Sequence, residues 1–149
     1  MKKIAFCTDF SENAHGAFKM ALELAEKFQA KLFLVHVLPP AVTPVVADME
    51  WVLPDEPRDE LLAQSTERMN TFYLSKAEGL VDCEPVVLDG PVSAQILNFL
   101  ETRRIDLVVV GSYGLSGVGL VIFGSVAKSV VQKAPCSVMV ARPQNQQGE

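Results

Sequence analysis

The hydrophobic and polar positions of the chain fall into two alternating patterns. Short apolar runs, such as the run at 107–110, are typical of strands that are buried on both faces of a parallel sheet. Between these runs, apolar residues recur every three or four positions, which is the spacing of an amphipathic helix. The patterns predict strands at 4–8, 31–38, 83–88, 107–110 and 136–141, and helices at 11–28, 59–77, 92–100 and 125–133.

The alternation of strands and helices indicates an α/β fold with an open, doubly wound parallel sheet and helices on both faces. One domain, residues 1–142, accounts for the pattern, and residues 143–149 form a polar C-terminal tail. Pro85 suits a strand at the edge of the sheet. Ligands of such sheets bind beyond the carboxyl ends of the strands. Those ends carry Thr8, Asp9, Val37, Val110 and Gly111.

The connection at 39–57 carries five prolines, which exclude a regular strand or helix. Connections of this length in a compact domain are usually functional or mobile. It contains the only tryptophan of the chain, Trp51. Two interpretations remain open: Trp51 anchors the connection on the domain or on a second subunit, or it forms part of a lid over a ligand.

Composition excludes several classes of protein. The net charge is −5, from 13 basic and 18 acidic residues, and the basic residues never cluster beyond two in a row, which disfavours nucleic-acid binding. No stretch is long and apolar enough for membrane insertion, and Asp9 interrupts the first apolar run too early for a signal peptide, so we expect a cytoplasmic protein. The three cysteines form no CxxC pair, and we expect small core residues rather than metal ligands or a disulfide.

A glycine-rich stretch follows the fourth strand and precedes the last helix. Five of the nine glycines lie between positions 111 and 124. A buried strand, such a loop and a helix N-terminus together offer backbone N–H groups to an anion. Two common phosphate motifs do not fit, because a P-loop would need a lysine at Ser125 and a dinucleotide fingerprint would need a glycine at Ile122.

The spacing Gly111-x2-Gly114-x9-Gly124-Ser125 resembles the nucleotide-binding motif of the universal stress protein family, in its ATP-binding branch. Other segments, in the same order along nearly the whole chain, also resemble that family: 8–11, 36–37, 90–91 and 134–140. The resemblance implies an adenine nucleotide alpha hydrolase-like fold with strand order 3-2-1-4-5. It also implies a homodimer that is joined through the last strand, where Val138 and Val140 lie.

The resemblance further implies a role for each site residue. Asp9 would accept a hydrogen bond from the adenine amino group, while Val37 packs against the base and Thr8 and Val110 line the same pocket. Gly111 and Gly114 would let the backbone approach the ribose and phosphates. The phosphates would be held at the helix N-terminus by Gly124, Ser125, Val126 and Ala127. A Mg²⁺ ion would be held mainly through the phosphates of ATP, ADP or AMP, and no metal site of the protein's own is expected.

Structural alternatives exist for the same residues. Asp9 could only cap the turn before the first helix, Ser125 could be an N-cap without a ligand, and the glycines could serve close packing. Residues 115–123 carry no charge, and Lys128 is the nearest cation in sequence, so a triphosphate would be held by neutral donors. The choice between ATP and AMP therefore stays open.

Three functional hypotheses follow, the first from the resemblance to the universal stress protein family and the others from the features weighed against it. The first is a homodimeric, ATP-binding stress-response switch or survival factor with little hydrolysis. The second is an interaction module that does not bind ATP and uses the apolar segment 115–123 and the segment 39–57 for a protein partner. The third is a slow ATP hydrolase or an AMP-forming enzyme. Catalysis has little support, because His15 and His36 have no nucleophile at a suitable spacing and no general base is evident near the glycines.

Overall fold

The computed structural model describes residues 1–40, 57–112 and 124–142. Gly114, Trp51, segment 115–123, most of segment 39–57 and the tail at 143–149 lie outside the described residues, so the predictions for them are not addressed by the structure. The elements are β1 (Lys3–Cys7), α1 (Glu12–Phe28), β2 (Lys31–Leu38), α2 (Arg58–Met69), a π-helical turn (Asn70–Leu74), α3 (Ser75–Ala77), β3 (Cys83–Asp89), α4 (Val92–Thr102), β4 (Leu107–Gly111), α5 (Ser125–Lys133) and β5 (Ser137–Ala141).

The strands of the described chain form one parallel sheet in the order β3-β2-β1-β4-β5, as predicted. Ile4 of β1 lies in register between Leu32 of β2 and Leu107 of β4. The chain moves outwards in one direction from β1 to β3 and in the other from β4 to β5, so the strand order reverses between β1 and β4. A crevice at the carboxyl ends of these two strands is where a sheet of this kind binds its ligand.

Both faces of the sheet are covered by helices, which explains why the strands are apolar without alternation. Ile4, Ala5 and Phe6 of β1 have no exposed surface. Ile4 and Phe6 belong to a core that includes residues of α1 and of the segment 69–77, whereas Ala5 belongs to a second core with residues of α4 and α5. Burying a large apolar side chain contributes about 1.5–3 kcal/mol, so both layers are needed to hold the sheet.

The predicted helix at 59–77 is interrupted by the π-helical turn, which the sequence analysis did not foresee. Met69, Tyr73 and Ala77 have no exposed surface, and they are spaced four residues apart. In a regular α-helix, positions four apart rotate by about 40° around the axis with each step. The wider π-helical turn reduces this drift and keeps all three side chains on the sheet.

The edge prediction for Pro85 is confirmed, and the ends of two helices have clear local causes in the sequence. Ser11 is the N-cap of α1, and its hydroxyl accepts a hydrogen bond from the backbone N–H of Ala14 at 3.3 Å. Gly79 follows the end of α3 with a φ of 81°, a left-handed conformation that glycine adopts without strain. Pro85 lies in β3, at one edge of the described sheet. Among the helices that the structure describes, none has the length and apolar character that would be needed to span a membrane.

Gly111, at the end of β4, lies directly against α1. A Cβ atom at this position would stand 3.0 Å from the backbone oxygen of Asn13 and 3.1 Å from its carbonyl carbon. The space next to this glycine is therefore filled by the first turn of α1. Close packing was the alternative role considered for the glycines, and Gly111 has this role. A ligand could approach Gly111 only from another direction.

We predict that Gly111→Ala destabilises the fold by about 1–3 kcal/mol, because the added methyl group overpacks the contact with the α1 backbone. The free energy of unfolding from urea denaturation measures this cost. The urea midpoint should fall while the slope of the transition stays the same, which would assign the effect to the native state. An unchanged midpoint would show that α1 moves aside without cost.

Candidate functional site

A cleft of about 490 Å³ lies at the carboxyl edge of the sheet, between the ends of β1 and β4 and the N-termini of α1 and α5. The structure brings nine of the predicted site residues together around this cleft. They are Thr8, Asp9, Val37, Val110, Gly111, Gly124, Ser125, Val126 and Ala127. Residues that are separated by more than a hundred positions in sequence thus share one site because parallel strands end at the same edge.

Asp9 lies at the rim of the cleft and is exposed. One of its carboxylate oxygens accepts a hydrogen bond from the backbone N–H of Ser11 at 2.9 Å. The capping role that was considered for Asp9 is therefore present. A carboxylate can accept about four hydrogen bonds, so this contact leaves Asp9 able to accept another from a ligand.

Thr8 is buried, and its hydroxyl is engaged within the protein. The hydroxyl oxygen lies 2.6 Å from the phenol oxygen of Tyr73 and accepts a hydrogen bond from the backbone N–H of Phe10 at 2.9 Å. The Tyr73 oxygen also lies 2.9 Å from Nδ1 of His15. The hydroxyl of Thr8 thus ties the turn that carries Asp9 to the π-helical turn.

The turn between β1 and α1 contains an unusual backbone conformation. Phe10 has a φ of 63°, which is rare for a large side chain. Its ring packs 4.4 Å from the ring of His36 and 6.2 Å from the ring of Tyr73. The guanidinium of Arg68 lies 4.2 Å from the centre of the Phe10 ring. These contacts offset the strain of the left-handed conformation and hold the turn in one shape.

His36 connects the same turn to β2. Its Nδ1 lies 2.8 Å from the carbonyl oxygen of Thr8, and because a carbonyl only accepts, Nδ1 is the donor. Burial lowers the pKa of His36 from its ordinary value of 6.5. The hydrogen bond to Thr8 and the Asp9 carboxylate oppose this lowering, and the charge of Arg68 adds to it. The imidazole is therefore neutral at pH 7, and both His15 and His36 make hydrogen bonds within the protein.

The N-terminus of α5 opens onto the cleft. Gly124 is the N-cap, and no side chain provides a capping hydrogen bond there within the described chain. Ser125 is the first residue of the helix, so the alternative in which Ser125 is the N-cap is wrong. The backbone bond from Lys128 N to Gly124 O, at 3.0 Å, is the first of the helical ladder. The N–H groups of residues 125–127 precede it and are the ones that a helix leaves for other acceptors.

Sequence reasoning missed part of the wall of the cleft. Asn13 of α1 and Val92 and Ile96 of α4 also line it. Val92 and Ile96 are four positions apart at the start of an amphipathic helix. This spacing predicts only a buried face of the helix and gives no sign of a cleft. Cys7 lines the cleft as well, and burial raises the pKa of its thiol to about 12, so it is a neutral thiol rather than a thiolate.

Metal-binding side chains do not converge in the described chain. Among residues 1–40, 57–112 and 124–142, no three His, Cys, Asp or Glu side chains are grouped so that they could hold an ion. The cleft itself contributes one carboxylate, that of Asp9, to its described lining.

Fold and cleft together define a doubly wound α/β domain with an open cleft where the strand order reverses. The family model described as the universal stress protein family matches residues 1–142. The chain therefore belongs to the universal stress protein family, and its sheet is the nucleotide alpha hydrolase-like sheet of that family.

Individual relatives are similar along most of their length. The chain is 31% identical to the universal stress protein YxiE of Bacillus subtilis, with 94% of this chain and 98% of that protein covered. It is 30% identical to a universal stress protein of Methanocaldococcus jannaschii, over 95% of this chain and 82% of that protein. The solved structure of UspA from Lactobacillus plantarum superposes with a TM-score of 0.74 at 27% identity, and covers 95% of this chain and 97% of that one.

Some solved structures that share this fold contain a nucleotide. A family member from Arabidopsis thaliana, with AMP bound, matches with a TM-score of 0.67 at 21% identity, covering 100% of this chain and 96% of that one. The Archaeoglobus fulgidus protein in complex with dAMP matches with a TM-score of 0.60 at 21% identity, covering 94% and 97%. At these identities the likeness shows the shared fold.

We predict that Tyr73→Phe lowers the free energy of unfolding by about 1–3 kcal/mol. The change keeps the ring against Phe6 and Phe18 but removes the hydroxyl that meets Thr8 and His15. Urea denaturation of Tyr73→Phe, Thr8→Val and the double variant tests the contact. The loss of stability in the double variant should differ from the sum of the two single losses by about 0.5–3 kcal/mol, because both substitutions remove the same contact. Strict additivity would show that the two hydroxyls do not act together.

We predict that His36 makes the protein less stable in mild acid. Its pKa is lower in the folded state than in the unfolded state, so the unfolded state takes up the proton first. The stability from neutral His36 is fully present above pH 6.5 and falls as the pH drops below that value towards the folded pKa. His36→Asn keeps a donor near Nδ1 but cannot titrate. Urea denaturation at a series of pH values between about 7.5 and about 5 measures the effect, and the wild type should lose more stability than this variant over that range. Parallel profiles would contradict the prediction.

Proposed function

We propose that the cleft binds an adenine nucleotide and that the protein acts as a homodimeric, nucleotide-dependent stress-response switch or survival factor in the cytoplasm. One observation carries the proposal. The Asp9 carboxylate and the N-terminus of α5 line the same cleft of about 490 Å³, so an acceptor for a base and N–H donors for phosphate lie in one ligand-sized space.

The base would lie in the apolar part of the cleft. Val37 and Val110 are buried at the ends of β2 and β4 and line it. The free acceptor positions of Asp9 would take a hydrogen bond from the exocyclic amino group, which adenine has at its Watson–Crick edge. A carboxylate cannot donate, so the same position would disfavour the carbonyl group that guanine presents there.

The phosphate end would lie against α5. The N–H groups of residues 125–127 and the positive end of the helix dipole favour an anion. ATP, ADP and AMP are the candidate ligands. The described lining offers Asp9 as its only carboxylate, so a Mg²⁺ ion would be carried by the phosphates rather than held by a protein site.

Hydrolysis would be slow at most. Phosphoryl transfer needs a residue that orients the attacking water. His36, the imidazole on the described lining, donates its Nδ1 hydrogen to Thr8 and is packed against Phe10. The proposed activity is therefore binding, with the nucleotide acting as a signal that alters the surface around the cleft.

Homodimerisation through the last strand remains part of the proposal. β5 lies at an edge of the described sheet, where backbone groups are available for a second copy. Val138 and Val140 are half-buried and pack partly against the core that α4 and α5 cover. A dimer contact would use the part of these side chains that the core leaves exposed.

Calorimetric titration of nucleotide-free protein with ATP, ADP, AMP and GMP tests the proposal. We expect adenine nucleotides to bind and GMP to bind at least about tenfold more weakly. Gly124→Val should abolish binding, because a branched side chain would stand where the phosphates approach the helix. Asp9→Ala should weaken it at least about tenfold, through the loss of a hydrogen bond to a charged group.

Asp9→Asn is the matched control. It keeps an oxygen that can accept from Ser11 and from the ligand, so it should bind better than Asp9→Ala. If no adenine nucleotide binds to the wild type, the proposal is wrong. If Asp9→Ala binds as well as the wild type, Asp9 serves only as the cap of the turn.

A further inference from the structure

The charges around the cleft are distributed in an unusual way for a nucleotide site. Within the described lining, Asp9 is the only side chain with a formal charge at neutral pH, because His36 is neutral and neither Lys nor Arg contributes. The charge that a ligand meets in this part of the cleft is therefore negative.

The parts of the sequence that the structure does not describe contain no Lys or Arg. In the sequence, residues 113–123 join Ser112 to Gly124 and carry no charge of either sign. Residues 41–56, which follow Pro39, contain no Lys or Arg and four acidic residues: Asp48, Glu50, Asp55 and Glu56.

Described cations near this end of the sheet are engaged elsewhere. Arg58 pairs with Asp89 and donates to the carbonyl oxygens of Leu38 at 3.3 Å and Pro39 at 2.7 Å. Arg68 lies over the ring of Phe10. Lys128, one turn into α5, is exposed and is not part of the described lining.

We propose that this cleft selects its adenine ligand for low charge, so that adenosine, cyclic AMP or AMP binds in preference to ATP. This inference rests on the proposed function and narrows its ligand class. Most phosphate sites hold a triphosphate with Lys, Arg or a protein-bound metal, and hydrogen bonds from charged donors are about twice as strong as those from neutral ones.

The positive end of the α5 dipole favours a small anion. It carries the equivalent of about half an elementary charge, and its effect fades within the first turn. One phosphate can lie within that range, whereas the outer phosphates of ATP would extend past it. They would also add negative charge next to Asp9 in a chain whose net charge is −5.

Salt dependence gives this inference a clear signature. Where cations hold a nucleotide, added salt screens attraction and weakens binding. Here added salt would screen repulsion from Asp9, so the affinity for ATP should rise or stay level, and that for adenosine should stay constant.

The experiment compares adenosine, cyclic AMP, AMP and ATP by calorimetry on the intact chain, with EDTA and again with Mg²⁺. In EDTA we expect AMP or a less charged ligand to bind at least about tenfold more tightly than ATP, as neutral donors dominate the site. Between about 50 and about 500 mM KCl, the Kd for ATP should not increase.

Two variants sharpen the comparison. Asp9→Asn keeps the acceptor oxygen but removes the charge, so it should narrow the gap between AMP and ATP at least about threefold and flatten the salt dependence. Lys128→Met should leave both affinities unchanged, because Lys128 is outside the described lining.

The outcomes separate the two proposals. If ATP binds most tightly and salt weakens it, or if Lys128→Met selectively loses ATP, low-charge selection is overturned while adenine binding stands. If none of the four ligands binds, the proposed function and the inference fall together. If the wild type prefers a ligand with no more than one phosphate and Asp9→Asn narrows the preference, the inference is supported.

Discussion

The hydroxyl of Thr8 is the contact on which the shape of the cleft depends. β1 ends at the crossover of the sheet, and the chain must turn sharply there to enter α1. The hydroxyl accepts a hydrogen bond from the backbone N–H of Phe10 and contacts the phenol of Tyr73. The turn is therefore fixed to the π-helical turn on the α1 side of the sheet. Phe10 can keep its left-handed conformation only because aromatic rings surround it. Asp9 lies between these two residues, at the rim of the cleft, where its carboxylate accepts from the backbone N–H of Ser11.

The helices on the two faces of the sheet therefore contribute different parts of the site. Beneath it, α1 and the segment with the π-helical turn supply the aromatic cluster and the hydrogen bonds that shape the turn. On the other side, α4 and α5 supply the apolar wall and the helix N-terminus. The aromatic cluster on the α1 side thus stabilises the turn, while Asn13 and Ala14 of α1 also contribute to the wall of the cleft.

Local patterns were enough to predict the order of elements and the carboxyl ends that meet at the cleft, because uninterrupted apolar runs and helical spacing report burial directly. The glycine spacing added the residues of α5. Contacts made by distant residues were beyond those patterns. Nothing near Gly111 in sequence shows that Asn13 fills the space beside it, and Phe10 gives no local sign of its positive φ. The π-helical turn is likewise set by packing against the sheet, which the local sequence does not show. The N-cap of α5 is Gly124, although Ser125 has the better capping side chain.

The cysteine in the wall of the cleft has a consequence for how a protein of this family can respond to oxidants. Peroxide reacts with thiolates, and burial keeps the pKa of Cys7 near 12 and that of Cys83 near 11, while the pKa of Cys136 is also raised. At neutral pH these thiols are poor targets for oxidation or alkylation. The wall of the cleft therefore keeps a neutral, unmodified thiol at Cys7 in an oxidising environment.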